Sequence, residues 1–301
     1  MKALVISGGG AKLWFGAGAL AALKLEGHEF DCVYGTSAGA ICALLWMQGN
    51  PQRAWDMIDE IKPSDIAIIP KNITKLKRLV RSQNLLDNSP MLPTLQKLFP
   101  RHTLDFSFKT HAVATNILTQ RRKVFELSRK DPDIYRYVVA SGAIPALFPP
   151  VKFNDNLVCV DGGAIDNTLL DPAINAGCDE ITLILLSQKV AYKCNPDNMF
   201  EVINALTEGT LASSAVKDLK LCTARNYVPG FKKIKVNLIR PSANVPVELF
   251  NWTTDQARAA FDMGHTAALD MELAIDPSKI YREIDTPKEG AELQLVEGDS
   301  A

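Results

Sequence analysis

The chain has 301 residues, of which 47% are hydrophobic and 22% are charged, and its formal net charge is −1. This balance is typical of a globular protein, and the near-neutral charge gives no sign of a surface for nucleic acid. We therefore predict no nucleic-acid partner.

No stretch has the 18 or more consecutive apolar residues that predict a membrane-spanning helix. The apolar run at the N-terminus, residues 3–6, is too short for a signal peptide. We therefore predict a cytoplasmic protein, for which any membrane contact would be peripheral. The six cysteines include no C-x-x-C pair and no companion histidine cluster, so no metal site is predicted.

The first predicted unit is a strand over residues 3–6, a glycine-rich turn over residues 8–12, and a helix over residues 14–25. Successive glycines expose backbone N–H groups, and with a helix N-terminus they form a cradle for an anion. The turn has neither the G-K-[ST] of a Walker A loop nor the G-x-G-x-x-G of a dinucleotide site. An oxyanion hole, which acyl transfer to a serine requires, is the remaining interpretation.

The second unit contains a G-x-S-x-G pentapeptide at residues 35–39. The apolar run 32–34 before it predicts a buried strand, and the apolar run 40–47 after it predicts a helix. This order is what a nucleophile elbow needs, in which Ser37 occupies a strained turn and the glycines let strand and helix approach. An ordinary strand-to-helix turn is the alternative that the motif by itself leaves open.

A basic segment runs from Lys71 to Arg81, where five cationic residues alternate with apolar residues at helical spacing. The pattern predicts an amphipathic helix with basic flanks. One interpretation is a solvated helix face over a core stripe. The other is a surface that contacts anionic lipid, which would give the protein a peripheral membrane contact.

A strand is predicted over residues 157–160, and it delivers Asp161 directly before two glycines. Open α/β sheets place their ligands at the carboxyl ends of strands, so this aspartate is a candidate site residue. An Asx turn that closes a loop is the alternative.

The remainder of the chain predicts a last strand over residues 234–239 and a closing helix over residues 254–273. No linker or internal repeat is present. We therefore predict a single catalytic domain over residues 1–276, followed by a polar and loose tail over residues 277–301.

Four blocks together resemble the patatin-like phospholipases. They are, in family order, the glycine turn at 8–12, the pentapeptide at 35–39, the segment Ala-Ser-Gly-Ala-Ile-Pro with Phe-Pro-Pro at 140–150, and Asp-Gly-Gly at 161–163. The resemblance implies a three-layer α/β/α sandwich with a mostly parallel central sheet. It also implies a serine lipid acyl hydrolase of the phospholipase A or lysophospholipase type, acting on a phospholipid or lysophospholipid. No cofactor is predicted.

The resemblance implies a role for each matching residue. Ser37 corresponds to the nucleophile, and Asp161 corresponds to the general base. The amides of Gly9, Gly10 and Ala11 correspond to the oxyanion hole.

The base has an independent physical rationale. An aspartate is a weak base at its ordinary pKa, and partial desolvation raises that pKa toward the operating pH. Apolar neighbours surround Asp161 in the sequence, which is compatible with such a site.

The last residue of the glycine turn and the residue after it lead to two further expectations. Lys12 is a candidate for binding a lipid phosphate at the mouth of the site, and a solvated loop lysine is the alternative. The family usually has glycine at the next position, where this chain has Leu13. If that position needs a positive φ, leucine would strain the loop and lower the activity.

Two rival functions remain open from the sequence. One is a Ser-His-Asp esterase in which His265 completes a triad, since the order Ser37, Asp161, His265 suits an α/β-hydrolase. The other is a lipid-binding relative with weak or no catalysis, disabled at Leu13. The lack of a histidine near Asp161 and the glycine turn before the elbow argue against the triad.

Overall fold

The computed structural model describes residues 1–68, 85–165, 167–187 and 199–275, with positions 197, 277 and 278. The basic segment from Lys71 to Arg81 lies outside the described residues, as does most of the predicted tail.

One sheet of nine strands organises the described part of the chain, in the order β5-β6-β3-β2-β1-β7-β8-β9, with β4 paired to β3. The strands are β1 (Lys2–Ile6), β2 (Cys32–Thr36), β3 (Lys109–Asn116), β4 (Arg121–Glu126), β5 (Val151–Asn154), β6 (Leu157–Asp161), β7 (Glu180–Ile184), β8 (Lys235–Ile239) and β9 (Glu272–Ile275). The five central strands, from β3 to β8, pair in parallel. The outer pairs are antiparallel.

Helices cover both faces of this sheet. They are α1 (Leu13–Leu25), α2 (Ala38–Gln48), α3 (Pro51–Glu60), α4 (Met91–Leu98), α5 (Ile134–Ser141), α6 (Leu170–Asn175), α7 (Met199–Asn226) and α8 (Thr254–Leu269). In β1, Leu4 and Ile6 face the core formed with α1, α2 and α8, whereas Ala3 and Val5 face α6 and α7. The strand is therefore apolar on both faces, as a central parallel strand must be. The predicted three-layer α/β/α sandwich is confirmed.

The pairing of β3 places the ends of two other strands together. One edge of β3 is occupied by β4 over residues 111–116. The other edge pairs first with β2, ending at Val113 opposite Thr36, and then with β6, where Ala114 lies opposite Asp161. Because β6 is antiparallel to β3, its last residue arrives beside the end of β2. Adjacent residues of β3 thus bring the Ser37 turn and Asp161 together.

Two of the predicted elements are wrong at the C-terminal end of the described chain. The closing helix ends at Leu269 instead of residue 273, and β8 is followed by another strand, β9. Residues 272–275 pair with the open edge of β8, and this long-range pairing outweighs the local helical pattern. β5 and α6 likewise lie where no element is predicted.

Among the helices that the structure describes, none combines the length and apolarity needed to cross a bilayer.

Candidate active site

Ser37 occupies the turn between β2 and α2, as the pentapeptide predicts. Its backbone has φ 55° and ψ −122°, a conformation that is rare for a residue with a side chain, and it is buried. The flanking glycines are required by contact: a Cβ on Gly35 would overlap the Gly39 carbonyl, and a Cβ on Gly39 would overlap the Ile6 carbonyl. The chain therefore presents Ser37 at the carboxyl edge of the sheet, on strained backbone held by its surroundings.

Ser141 holds this strained turn in place. The Ser37 backbone N–H donates to the Ser141 hydroxyl over 2.8 Å, and that hydroxyl donates to the Val113 carbonyl over 2.5 Å. Ser141 is fully buried, so no water competes for these bonds. Its position in the block 140–150 is visible in the sequence, but nothing local indicates a partner 104 residues away.

Asp161 lies against Ser37. Its carboxylate accepts a hydrogen bond from the Gly163 backbone N–H over 2.7 Å, and the Ser37 side chain lies close enough to affect its pKa. Burial raises the pKa of Asp161 to about 6, while the influence of Ser37, and then that of Gly163, lowers it. The carboxylate is therefore a better base than a solvated aspartate and is still ionised at neutral pH.

The glycine turn at residues 8–12 lies next to Ser37 and is anchored from far along the chain. The Gly8 N–H donates to the Asn167 side-chain oxygen over 2.8 Å, and the Asn167 N–H donates to the Ser214 hydroxyl over 2.8 Å. Asn167 therefore ties the loop after β1 to the loop after β6.

The three backbone N–H groups predicted to form the oxyanion hole differ in whether they already donate a hydrogen bond. Gly10 has a φ of 55°, which suits glycine, and its N–H and that of Gly9 have no acceptor within the described residues. The Ala11 N–H, in contrast, donates to the Leu249 carbonyl over 3.0 Å. Two of the three amides are thus available, and the third is occupied by the segment between β8 and α8.

The strain expected at Leu13 is absent. Leu13 has φ −48° and ψ −31°, in the right-handed helical region, and it begins α1. A leucine adopts this conformation without penalty. The neighbouring Lys12 donates from its ammonium to the Ser187 hydroxyl over 3.0 Å.

An apolar cavity lies beside the Ser37 turn. Its lining includes Ile41 from α2, Val138 from α5 and Phe148 from the loop after α5. Residues 245–252, which we call the strap, close one side with Leu249 and Phe250. The free volume is about 40 Å³, room for about three waters. An acyl chain needs more space than this.

The C-terminal part of the strap is held by aromatic contacts. Trp252 meets Trp14 of α1 edge-on at 6.0 Å, and Phe250 meets Phe148 edge-on at 5.2 Å. Leu249 and Phe250 themselves are only half-buried. The middle of the strap therefore covers the glycine turn while remaining accessible from outside.

His265 is not part of the site formed by Ser37, Asp161 and the glycine turn. It is half-buried in α8, which packs against α1. Among the described residues, the Asp161 carboxylate accepts a hydrogen bond from Gly163 and from no histidine. No group of three or more His, Cys, Asp or Glu side chains that could hold a metal ion occurs in the same residues.

Comparison with known proteins matches the same region of the chain. A model of the family "Patatin-like phospholipase" matches residues 4–174, more than half of the sequence. "Probable lipid hydrolase 463L" of Invertebrate iridescent virus 6 is 28% identical over 192 residues, which are 58% of this chain and 63% of that protein. "Lysophospholipase NTE1" of Cryptococcus neoformans is 26% identical over 196 residues, 60% of this chain and 11% of that protein.

The chain therefore spans less than two thirds of the viral relative and about a tenth of the fungal one. Among solved structures, VipD from Legionella pneumophila is 17% identical, with a TM-score of 0.39 over 89% of this chain and 66% of that chain.

Proposed function

Because the chain belongs to the patatin-like phospholipase family, we propose that it is a serine hydrolase that cleaves carboxylic ester bonds of membrane lipids. One observation carries the proposal: Ser37 lies on a strained strand-to-helix turn, and the pairing of β3 places it beside the buried Asp161 carboxyl. Acyl transfer to a serine requires at least a nucleophile placed beside a general base, and a raised pKa makes the carboxylate a stronger base.

The proposed reaction has two stages. As the Ser37 hydroxyl attacks the ester carbonyl, Asp161 accepts its proton, and the tetrahedral intermediate then expels the lipid alcohol, which takes that proton. Water attacks the resulting acyl-Ser37 ester, with Asp161 again as base. The fatty acid leaves and Ser37 is regenerated.

The glycine turn supplies the electrostatic part of the proposal. The N–H groups of Gly9 and Gly10 point to no protein acceptor among the described residues, so they are suited to bind the oxyanion. Ala11 joins them only when the Leu249 carbonyl moves away. Since the cavity is also too small for an acyl chain, we expect the strap to open when a lipid binds.

Phospholipids and lysophospholipids are the proposed substrates. The cavity lining is predominantly apolar, which suits an acyl chain, and the relatives named above are a probable lipid hydrolase and a lysophospholipase. Lys12 is the proposed contact for the lipid phosphate, provided that its bond to Ser187 yields to the ligand.

The two rival functions have less support. A triad through His265 would need the histidine between serine and aspartate, yet His265 lies in α8 and, among the described residues, no histidine is hydrogen-bonded to Asp161. A lipid-binding relative disabled at Leu13 would need a strained turn, yet Leu13 has ordinary helical geometry. The dyad is therefore our proposal.

The function is tested with a fluorophosphonate probe and with mixed lipid extract. We expect the probe to label Ser37 in the folded protein, and mass spectrometry of the extract to show loss of phospholipid or lysophospholipid with release of fatty acid. Labelling without any lipid turnover would restrict the proposal to a non-lipid esterase. A folded protein that is neither labelled nor active would be a binding relative.

We expect hydrolysis to proceed without calcium or any other metal ion. The proposed mechanism draws its nucleophile, base and oxyanion donors from Ser37, Asp161 and backbone amides, so no step calls for a Lewis acid. Initial rates on a soluble short-chain ester should be equal in EDTA and in calcium. Activity that EDTA abolishes and calcium restores would contradict the dyad mechanism.

A further inference from the structure

The hairpin between β3 and β4 exposes apolar residues at its tip. Ile117 and Leu118 are 42% and 55% exposed, although both are branched aliphatic residues that normally pack inside. Three cationic residues, Arg121, Arg122 and Lys123, follow within five positions. We call residues 117–123 the rim. Exposed apolar groups bordered by charge at one place on a surface are a candidate contact site.

The rim stands at the same edge of the sheet as Ser37. β2 and β3 are parallel, and β2 ends at Thr36 opposite Val113. β3 continues for three residues past that point, to Asn116. At about 3.3 Å per residue, the tip projects roughly 10 Å farther along the strand direction than the start of the Ser37 turn. A flat partner that approaches this edge of the sheet would reach the rim before it reached the Ser37 turn.

The tip is held rigidly enough to keep its apolar residues outward. The Ile117 N–H donates to the Val158 carbonyl of β6 over 2.9 Å, and the Leu118 N–H donates to the Asn116 side chain over 3.1 Å. Asn116 also donates to the Asn156 carbonyl over 3.1 Å. The exposed apolar surface is thus part of the fold, since the chain around it is hydrogen-bonded to β6 and to the β5–β6 turn.

The charge of the rim favours an anionic partner. Arg121 and Lys123 are exposed, and Arg122 forms an ion pair with Asp171 over 2.6 Å. The carboxylate in the adjacent β5–β6 turn, Asp155, is paired with Lys152 over 2.7 Å. Because Asp171 and Asp155 are already paired with other cations, Arg121 and Lys123 give the rim a positive charge. Cations beside a small apolar tip fit the interface of a bilayer that contains anionic lipid.

We propose that the rim docks the protein on anionic bilayers, with Ile117 and Leu118 entering the interface and Arg121 and Lys123 contacting lipid phosphates. The inference rests on the proposed function, because a lipid hydrolase must turn its Ser37 edge toward the bilayer. It assigns the peripheral membrane contact to a surface other than the segment from Lys71 to Arg81.

The opposite edge of the sheet offers a matched control. Val228 and Phe231 are 47% and 54% exposed and are followed by exposed Lys232 and Lys233. They precede Lys235, where β8 begins, so they lie at the amino edge of the parallel strands. Docking through these residues would turn Ser37 away from the lipid. The two patches resemble each other in chemistry and differ in position.

The test measures co-sedimentation with vesicles of phosphatidylcholine, with and without phosphatidylglycerol. Every protein carries Ser37→Ala, so that hydrolysis does not alter the vesicles. We expect Ile117→Ser with Leu118→Ser to lower the partition coefficient at least about tenfold, from lost apolar insertion. We expect Arg121→Gln with Lys123→Gln to lower it only on vesicles that contain phosphatidylglycerol. Val228→Ser with Phe231→Ser should leave it unchanged.

Each other outcome overturns the proposal. If the rim variants bind as the Ser37→Ala protein does, or if the control pair carries the loss, the rim is not the docking surface. Equal thermal midpoints among the variants confirm that each is folded. With Ser37 restored, turnover of a soluble short-chain ester tests the proposed function separately from docking. The rim variants should retain this turnover even when vesicle binding is lost. Absent turnover in the unmodified protein would instead count against the proposed function.

Discussion

Replacing Ser37 with alanine is expected to reduce ester hydrolysis at least about a thousandfold, to the background rate. The hydroxyl is the proposed nucleophile, and it alone combines a strained elbow with contact to a buried carboxylate within the described residues. The measurement is kcat/KM for a soluble short-chain ester, together with loss of fluorophosphonate labelling. Retained labelling in a folded Ser37→Ala protein would place the nucleophile elsewhere.

Asp161→Asn should cause nearly the same loss, because asparagine keeps the shape and cannot accept the proton. The double variant should be scarcely slower than either single variant, since the two side chains act as one unit. Independent, multiplying losses would show that Asp161 contributes by some route other than proton transfer from Ser37.

Histidine variants are the matched controls for this experiment. His265→Ala should retain most of the turnover, as should alanine at His28, His102 and His111, because none of them contacts the Asp161 carboxylate in the described structure. A loss of several orders of magnitude in a folded His265→Ala protein would favour the Ser-His-Asp mechanism.

The second large effect concerns pH. Since burial raises the pKa of Asp161 to about 6 and the base must be ionised, kcat/KM should be constant above pH 7 and should fall about tenfold per unit below pH 6. The measurement is the pH profile on a soluble ester. A profile that remains flat down to pH 4 would mean that Asp161 keeps an ordinary pKa or is not the base.

The same pKa predicts that Asp161→Asn stabilises the fold. A folded-state pKa of about 6 lies above the unfolded value of about 3.9, so the native carboxyl binds protons more tightly. The fold therefore loses stability as pH rises from about 4 to 6, and the loss is complete above pH 6. Asparagine carries no such penalty.

Denaturant unfolding of Asp161→Asn and the unmodified protein at two pH values measures this term. The gain in unfolding free energy should be about 2–3 kcal/mol larger at pH 8 than at pH 4. Asp155→Asn is the control, because Asp155 is exposed and forms a surface ion pair with Lys152. A pH-independent gain for Asp161→Asn would show that packing, and not ionisation, limits stability there.

The sequence by itself determined the parts of the site that depend on local chemistry. The elbow at Ser37 follows from small residues placed between an apolar strand and an apolar helix, and the structure places that turn as predicted. The position of Asp161 follows from a strand that ends directly before two glycines. Central strands such as β1 were predictable because burial on both faces leaves an unbroken apolar run.

Only the tertiary structure decided which distant residues complete these parts. Ser141 supports the elbow from 104 residues away, and Asn167 supports Gly8 from 159 residues away. The Ala11 N–H donates to the Leu249 backbone carbonyl, a group that every residue has. None of these contacts leaves a local pattern, because a single polar atom has no periodicity. The meeting of Ser37 and Asp161 likewise depends on the register of β3, which pairs one end with β2 and the next residues with an antiparallel β6. Strand pairing between remote segments is settled when the whole sheet packs, because the hydrogen bonds and apolar contacts of several strands select it together.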